Sequence, residues 1–241
     1  MGKIQEELKA AEKYRFQMDE KDGRLLALCG ENIALAEFLI RNDSRYVNNA
    51  DKAHKGTSAY WFSHLKDFYD GKGGDFAAIV GECINAVDRE NSTHLNGDGK
   101  GRLVVKGWIS ELGAEKLRAM LEGRDFALPA LLTERTGDEK GSRRNPSFAS
   151  KFCHYACFYL FEGSDRQDNF SIYDKILRVS VPFYAARYGV EGKITKNTDY
   201  KTYSDVIDSI IGASGAGISR NGFDHLLWYY HKAHPIQKNS N

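Results

Sequence analysis

Lys151 and Asp174, 23 residues apart, are the side chains whose types and surroundings suggest chemistry. They lie within Arg143–Val179, RRNPSFASKFCHYACFYLFEGSDRQDNFSIYDKILRV. A lysine becomes a nucleophile once its amine is neutral, and a nearby carboxylate can take up its proton or stabilise a developing cation. Asn145-Pro146-Ser147 reads as a helix start, because Asn caps well and Pro is favoured in the first turn. A helix start presents free N–H groups and partial positive charge, which suits a phosphate. Arg143 and Arg144 would strengthen that grip together with Ser147. The same positive end should disfavour an ammonium at Lys151 and so lower its pKa. Asp174 opens a second helix, where the dipole favours its carboxylate. A nucleophilic amine, a carboxylate and a phosphate grip together suit removal of a base from a nucleotide.

The elements that must carry these residues are helices. Apolar residues recur at helical spacing over 147–161 (SFASKFCHYACFYLF) and over 173–187, which a kink at Pro182 should bend. Helices are also expected at 3–16, 24–40, from a Ser58 cap to before Gly71, at 75–90, 114–122, 203–211 and 219–233. Residues 102–109 are ambiguous between strand and helix. The segments 42–58 and 134–144 read as loops, and NSTHLNGDGKG is the richest in turn residues. The expected fold is all-α. Residues 1–241 should form one helical domain, which the length also allows to divide into two lobes.

Composition narrows the class without choosing a function. The chain has 241 residues, 41% hydrophobic and 28% charged, which is an ordinary globular balance. The net charge of +1 gives no global argument for nucleic acid, so that argument rests on local charge. The N-terminal residues are charged from Lys3 onward and no apolar stretch is long enough to span a bilayer. Cytoplasmic placement without a membrane partner is therefore expected. Four cysteines do not make a disulfide scaffold in a chain of this length.

At the residues quoted above the chain resembles the helix-hairpin-helix DNA glycosylases, and within them the divergent bacterial 8-oxoguanine-glycosylase-fold proteins. Ser150-Lys151 looks like the family's small residue and lysine. Ile172-Tyr173-Asp174 looks like its Val-Asp element, and Lys175–Val179 looks like the Arg-containing helix that follows. Asn145–Ala149 stands where the family usually has a Gly-hydrophobic-Gly turn, and Tyr173 stands where it has Val. The iron–sulfur cysteines of some relatives are absent. The resemblance covers about 40 residues and implies a two-lobed helical fold with a central cleft, residues 143–190 forming the catalytic segment. It further implies a monomer that acts on double-stranded DNA bearing a damaged or modified base. Lys151 would attack the sugar C1′ and form a Schiff base with the help of Asp174, and strand cleavage by β-elimination can follow. No cofactor and no metal are implied.

Other features have plainer readings. By residue type alone, Lys151 is a solvated lysine and Asp174 only a helix cap. Cys153 and Cys157 read as buried thiols rather than metal ligands. His154, one turn beyond Lys151, is a candidate to line the substrate site. Phe223 and Trp228 are candidate walls for an extruded base, although the run around them reads first as core packing. His225, His231 and His234 fit no strong zinc spacing and read as surface histidines. The same scaffold also suits a non-enzymatic nucleic-acid-binding or phage-defence protein.

Overall fold

The computed structural model describes residues 16–42, 56–91, 93–95, 100–138, 144–195 and 197–236. Among them are ten α-helices and one short 3-10 turn, with one isolated antiparallel bridge and no β-sheet. The helices are α1 (Gly30–Asn42), α2 (Ser58–Tyr69), α3 (Phe76–Asn91), α4 (Lys100–Leu112) and α5 (Ala114–Glu122). They continue with α6 (Ala127–Arg135), α7 (Pro146–Leu160), α8 (Lys175–Arg187), α9 (Tyr200–Ser214) and α10 (Arg220–Ala233). The all-α expectation therefore holds. No described helix is long and apolar enough to cross a membrane. The chain divides into a continuous unit, Asn49–Tyr173, and a split unit, Met1–Asn48 with Asp174–Asn241. The segment 143–190 straddles that division.

The continuous unit is built around α7, which packs on α2, α3, α5 and α6. Ten of its fifteen residues are buried, from Phe148 to Leu160, which is why its sequence is apolar nearly all round rather than along one stripe. Phe62 of α2 meets Phe152 edge-on at 5.6 Å and Tyr159 in a stack at 6.2 Å. The amphipathic α3 supplies Ile79, Val80, Cys83, Ile84 and Val87 to the same core. Residues 102–109, ambiguous in sequence, lie inside α4 and bury Val105 and Ile109. The charged segment from 134 begins within α6, whose Leu128, Pro129 and Leu132 are buried.

In the split unit, α10 packs on α1 and α8, and α9 packs on both α8 and α10. Residues 24–29 are not helical as their leucines suggest. Residues 17–27 form a hairpin instead, with Asp19 N–H donating to the Leu25 carbonyl and Ala27 N–H to the Gln17 carbonyl, each at 2.9 Å. The Asp19 carboxylate accepts from the N–H groups of Lys21 and Asp22, and such side-chain capture of backbone donors competes with helix. Asn32 fastens both arms, accepting from Gln17 N–H and donating to the Gln17 and Ala27 carbonyls. Helix α8 runs through Pro182, whose ring cannot donate to the Arg178 carbonyl. At α2 the cap is Thr57, which accepts from Tyr60 N–H at 3.2 Å, and Ser58 is the first helical residue. Apart from Phe16, the helix expected at 3–16 lies outside the described residues, as does most of the loop expected at 42–58.

Candidate active site

The start of α7 is fixed by a buried network around Asn145. Its side-chain oxygen accepts from Phe148 N–H at 3.0 Å, and Pro146 occupies the first helical position. Its amide donates to the Thr93 carbonyl at 2.6 Å. Its own N–H donates to Thr136 Oγ1 at 2.7 Å, while that hydroxyl donates to the Thr133 carbonyl. Residue 145 thus ties the Thr93 and Thr136 segments to the first turn of α7, the first through its side chain and the second through its backbone N–H. The cap expected from Asn-Pro-Ser is present, and the links to Thr93 and Thr136 are additional.

Lys151 is the sixth residue of α7 and is only 7% exposed. It is therefore not the solvated lysine that its type suggests. It also lies beyond the first turn, where the helix-end effect falls away. Arg144 is exposed immediately before the cap, and Ser147 is half-buried in the first turn. Arg143 lies outside the described residues.

Two side chains of α7 grip the segment that leads to Asp174. His154 Nδ1 donates to the Phe170 carbonyl at 2.9 Å, which fixes the proton on that nitrogen. One turn earlier, Ser150 Oγ accepts from Tyr173 N–H at 2.9 Å and donates to the Ser147 carbonyl at 3.1 Å. Residues 170–173 therefore run back along α7 toward its start, and the chain leaves this unit beside Ser150. His154 is 2% exposed and stacks on Phe158. Its contacts make it a positioning residue for the 170–173 segment. Sequence reasoning placed Ser150 in a motif but missed its role, since no spacing rule announces a hydroxyl bound to a distant N–H.

Asp174 opens the split unit as the N-cap of α8. Its Oδ1 accepts from Ile176 N–H at 2.9 Å and Leu177 N–H at 3.0 Å, and the residue is 8% exposed. The cap read from the sequence is thus in place. Arg178 follows one turn later, half-buried.

The remaining candidates are placed differently. Phe223 is fully buried, edge-on to Tyr184 at 6.0 Å. That position suits the core reading and leaves no face for an extruded base. Trp228 is half-buried, with Lys232 Nζ 4.1 Å from its ring centroid. His231 is not at the surface but 4% exposed, because its ring completes a buried chain of hydrogen bonds. Leu26 N–H donates to the Tyr184 hydroxyl at 3.0 Å, that hydroxyl donates to His231 Nε2 at 3.1 Å, and His231 Nδ1 donates to the His234 carbonyl. Cys153 and Cys157 are fully buried, and burial raises both thiols well above their usual range. Among the described residues, no group of three or more His, Cys, Asp or Glu side chains is arranged to hold a metal ion.

Compared with protein-family models, characterised proteins and solved structures, the chain shows no significant match to any.

Proposed function

We propose that this protein is a base-excising DNA glycosylase of the helix-hairpin-helix kind, with Lys151 as nucleophile and Asp174 as its carboxylate partner. The observation that carries this reading is the hydrogen bond from Tyr173 N–H to Ser150 Oγ. This bond, within the continuous unit, ties the residue before the amine to the residue before the carboxylate. Burial of Lys151 adds support, since a lysine only 7% exposed is not the solvated surface side chain of the plainer reading.

In this reading the Lys151 amine attacks C1′ of an extruded nucleotide. The glycosidic bond breaks, and the base leaves with the bonding electrons and takes up a proton. Asp174 receives the proton lost by the amine and offsets positive charge on the sugar. The sugar ring then opens as the C1′–O4′ bond breaks and O4′ takes up a proton, and the resulting Schiff base is hydrolysed, or loses a C2′ proton and its 3′ phosphate by β-elimination. Arg144 and the α7 start bind the DNA backbone, which positions the strand without reading its sequence.

Borohydride trapping tests this directly, with duplexes carrying an abasic site, oxidised purines or bulky modified cytosines. The wild-type protein should form a covalent adduct that Lys151→Gln abolishes while DNA binding persists. Adduct formation that survives in Lys151→Gln, or a wild-type protein that neither traps nor releases a base across the panel, overturns the assignment.

A further inference from the structure

The continuous unit contains a cleft of about 420 Å³ that none of the α7 residues lines. It lies between one face of α3, the facing side of α4 and the start of α2. Its walls include Trp61, Ile79, Glu82, Arg102, Leu103 and Lys106, with Asn85 at one margin. The volume is within the range of small-molecule sites, roughly 300–1,000 Å³.

Several polar groups of this cleft have no partner among the described residues. Lys106 lies across α3 at Gly81, where an added Cβ would stand 3.0–3.3 Å from the last three atoms of the lysine side chain. Glycine thus admits the lysine stem against the helix backbone. Among the described residues, no carboxylate comes within 4 Å of the Lys106 amine, although Glu82 lines the same cleft. Arg102 has only a long contact to Asp88, at 3.9 Å. Asp75, at the cleft edge, is occupied in capping α3 through the N–H groups of Ala77 and Ala78. Neither the Asn85 amide nor the Trp61 indole N–H has a hydrogen-bond partner among the described residues. Trp61 is braced by Tyr60 edge-on at 5.0 Å and by His64 at 5.5 Å, so its ring is held in place. Leu103 is 68% exposed beside it.

Opposite charges that share a cleft without pairing suit a ligand that needs both. Two cations on α4 call for an anionic group. The ring of Trp61, with Leu103 and Ile79, calls for a flat apolar body. Glu82 and Asn85 offer acceptors for hydroxyl or amino groups. We infer that the α3–α4 cleft binds one nucleotide unit, with the phosphate on Lys106 and Arg102, the base against Trp61, and sugar or base donors on Glu82 and Asn85. This site is separate from the Lys151 reading and stands without it.

Calorimetric titration of the full chain with deoxyadenosine monophosphate, deoxyadenosine, inorganic phosphate and a short oligodeoxyadenylate tests the inference. The nucleotide, free or at a strand end, should bind more tightly than the nucleoside and phosphate by about tenfold or more, as expected for a charge-assisted contact. Lys106→Ala should remove that advantage and leave nucleoside affinity unchanged. Trp61→Ala should weaken nucleotide and nucleoside alike, whereas Lys151→Gln should change neither. Binding by the mononucleotide identifies a free ligand, and binding by the oligonucleotide alone identifies a strand. Equal affinity for nucleotide and nucleoside, or nucleotide binding untouched by Lys106→Ala in a protein of unchanged circular dichroism, overturns it. Absence of saturable binding by every probe does so equally.

Discussion

Asp174 carries two duties that substitution can separate. As a cap it needs only an acceptor oxygen for Ile176 and Leu177 N–H, which Asn supplies as well as Asp. As a partner to an amine it needs its charge. Asp174→Asn should therefore keep its unfolding midpoint and its affinity for DNA, yet lose base release by roughly 10²–10³-fold, the range for removal of one electrostatic stabiliser. Asp174→Ala should lose the cap as well, at about 1 kcal/mol. Single-turnover release of base by both variants, beside urea unfolding, makes the separation. An Asn variant with full activity would leave Asp174 a cap alone. Arg144 permits a similar test. If it contacts a phosphate, Arg144→Ala should lower the slope of log affinity against log salt by about one, without changing which duplex is preferred.

At the scale of elements, α7 is held at its start by Asn145 and along its length by Ser150 and His154. Asn145→Ala removes the cap for Phe148 and the donor to Thr93, and strips Thr136 of nothing, since that bond uses the backbone of residue 145. A loss of about 2 kcal/mol is expected, combining a lost cap with a buried carbonyl left unsatisfied. Asn145→Asp caps equally well but would set a carboxylate against the Thr93 carbonyl. It should therefore be less stable than wild type at neutral pH, which chemical denaturation can rank. These elements were unequally legible in the sequence. The apolar residues of α3 and α7 announced helices, and Asn145-Pro146 announced where α7 begins. The hairpin at 17–27 was hidden, because Leu25 and Leu28 read as a helix face with Leu35 and Leu39, while Asp19 decides the backbone by capturing two N–H groups. The ties from Ser150 to Tyr173 and from His154 to Phe170 join residues 23 and 16 apart, and no local periodicity encodes them.

For the whole molecule, the response to acid depends on two buried groups of the split unit whose effects fall in different pH windows. Asp19 forms an ion pair with Arg187 at 2.5 Å. Burial pushes its carboxyl up, but the bonds from Arg187, Asp22 N–H and Lys21 N–H outweigh this and hold it below the usual range. Its contribution is present above the unfolded-state value near 3.8 and is lost only as pH falls through the lower folded value. His231 acts earlier and in another way. Burial lowers it to about 4, against the opposing effect of its bond to the His234 carbonyl, and the neighbouring His234 ring lowers it further. Protonation would also convert Nε2 from the acceptor of the Tyr184 hydroxyl into a donor, and so break the chain that reaches Leu26. Above pH 6.5 neither folded nor unfolded His231 binds a proton, so it gives no slope. Between about 6.5 and about 4 the unfolded chain binds the proton and the folded one does not, so stability falls as pH drops. The total is about 3 kcal/mol if the full difference is realised. Urea unfolding across this range should show that decline in the wild type. His231→Gln keeps an acceptor for Tyr184 and cannot be protonated, so it should flatten the curve between these limits while leaving the fall below pH 4, to which Asp19 contributes. An unchanged slope in His231→Gln would show that another group binds the proton on unfolding.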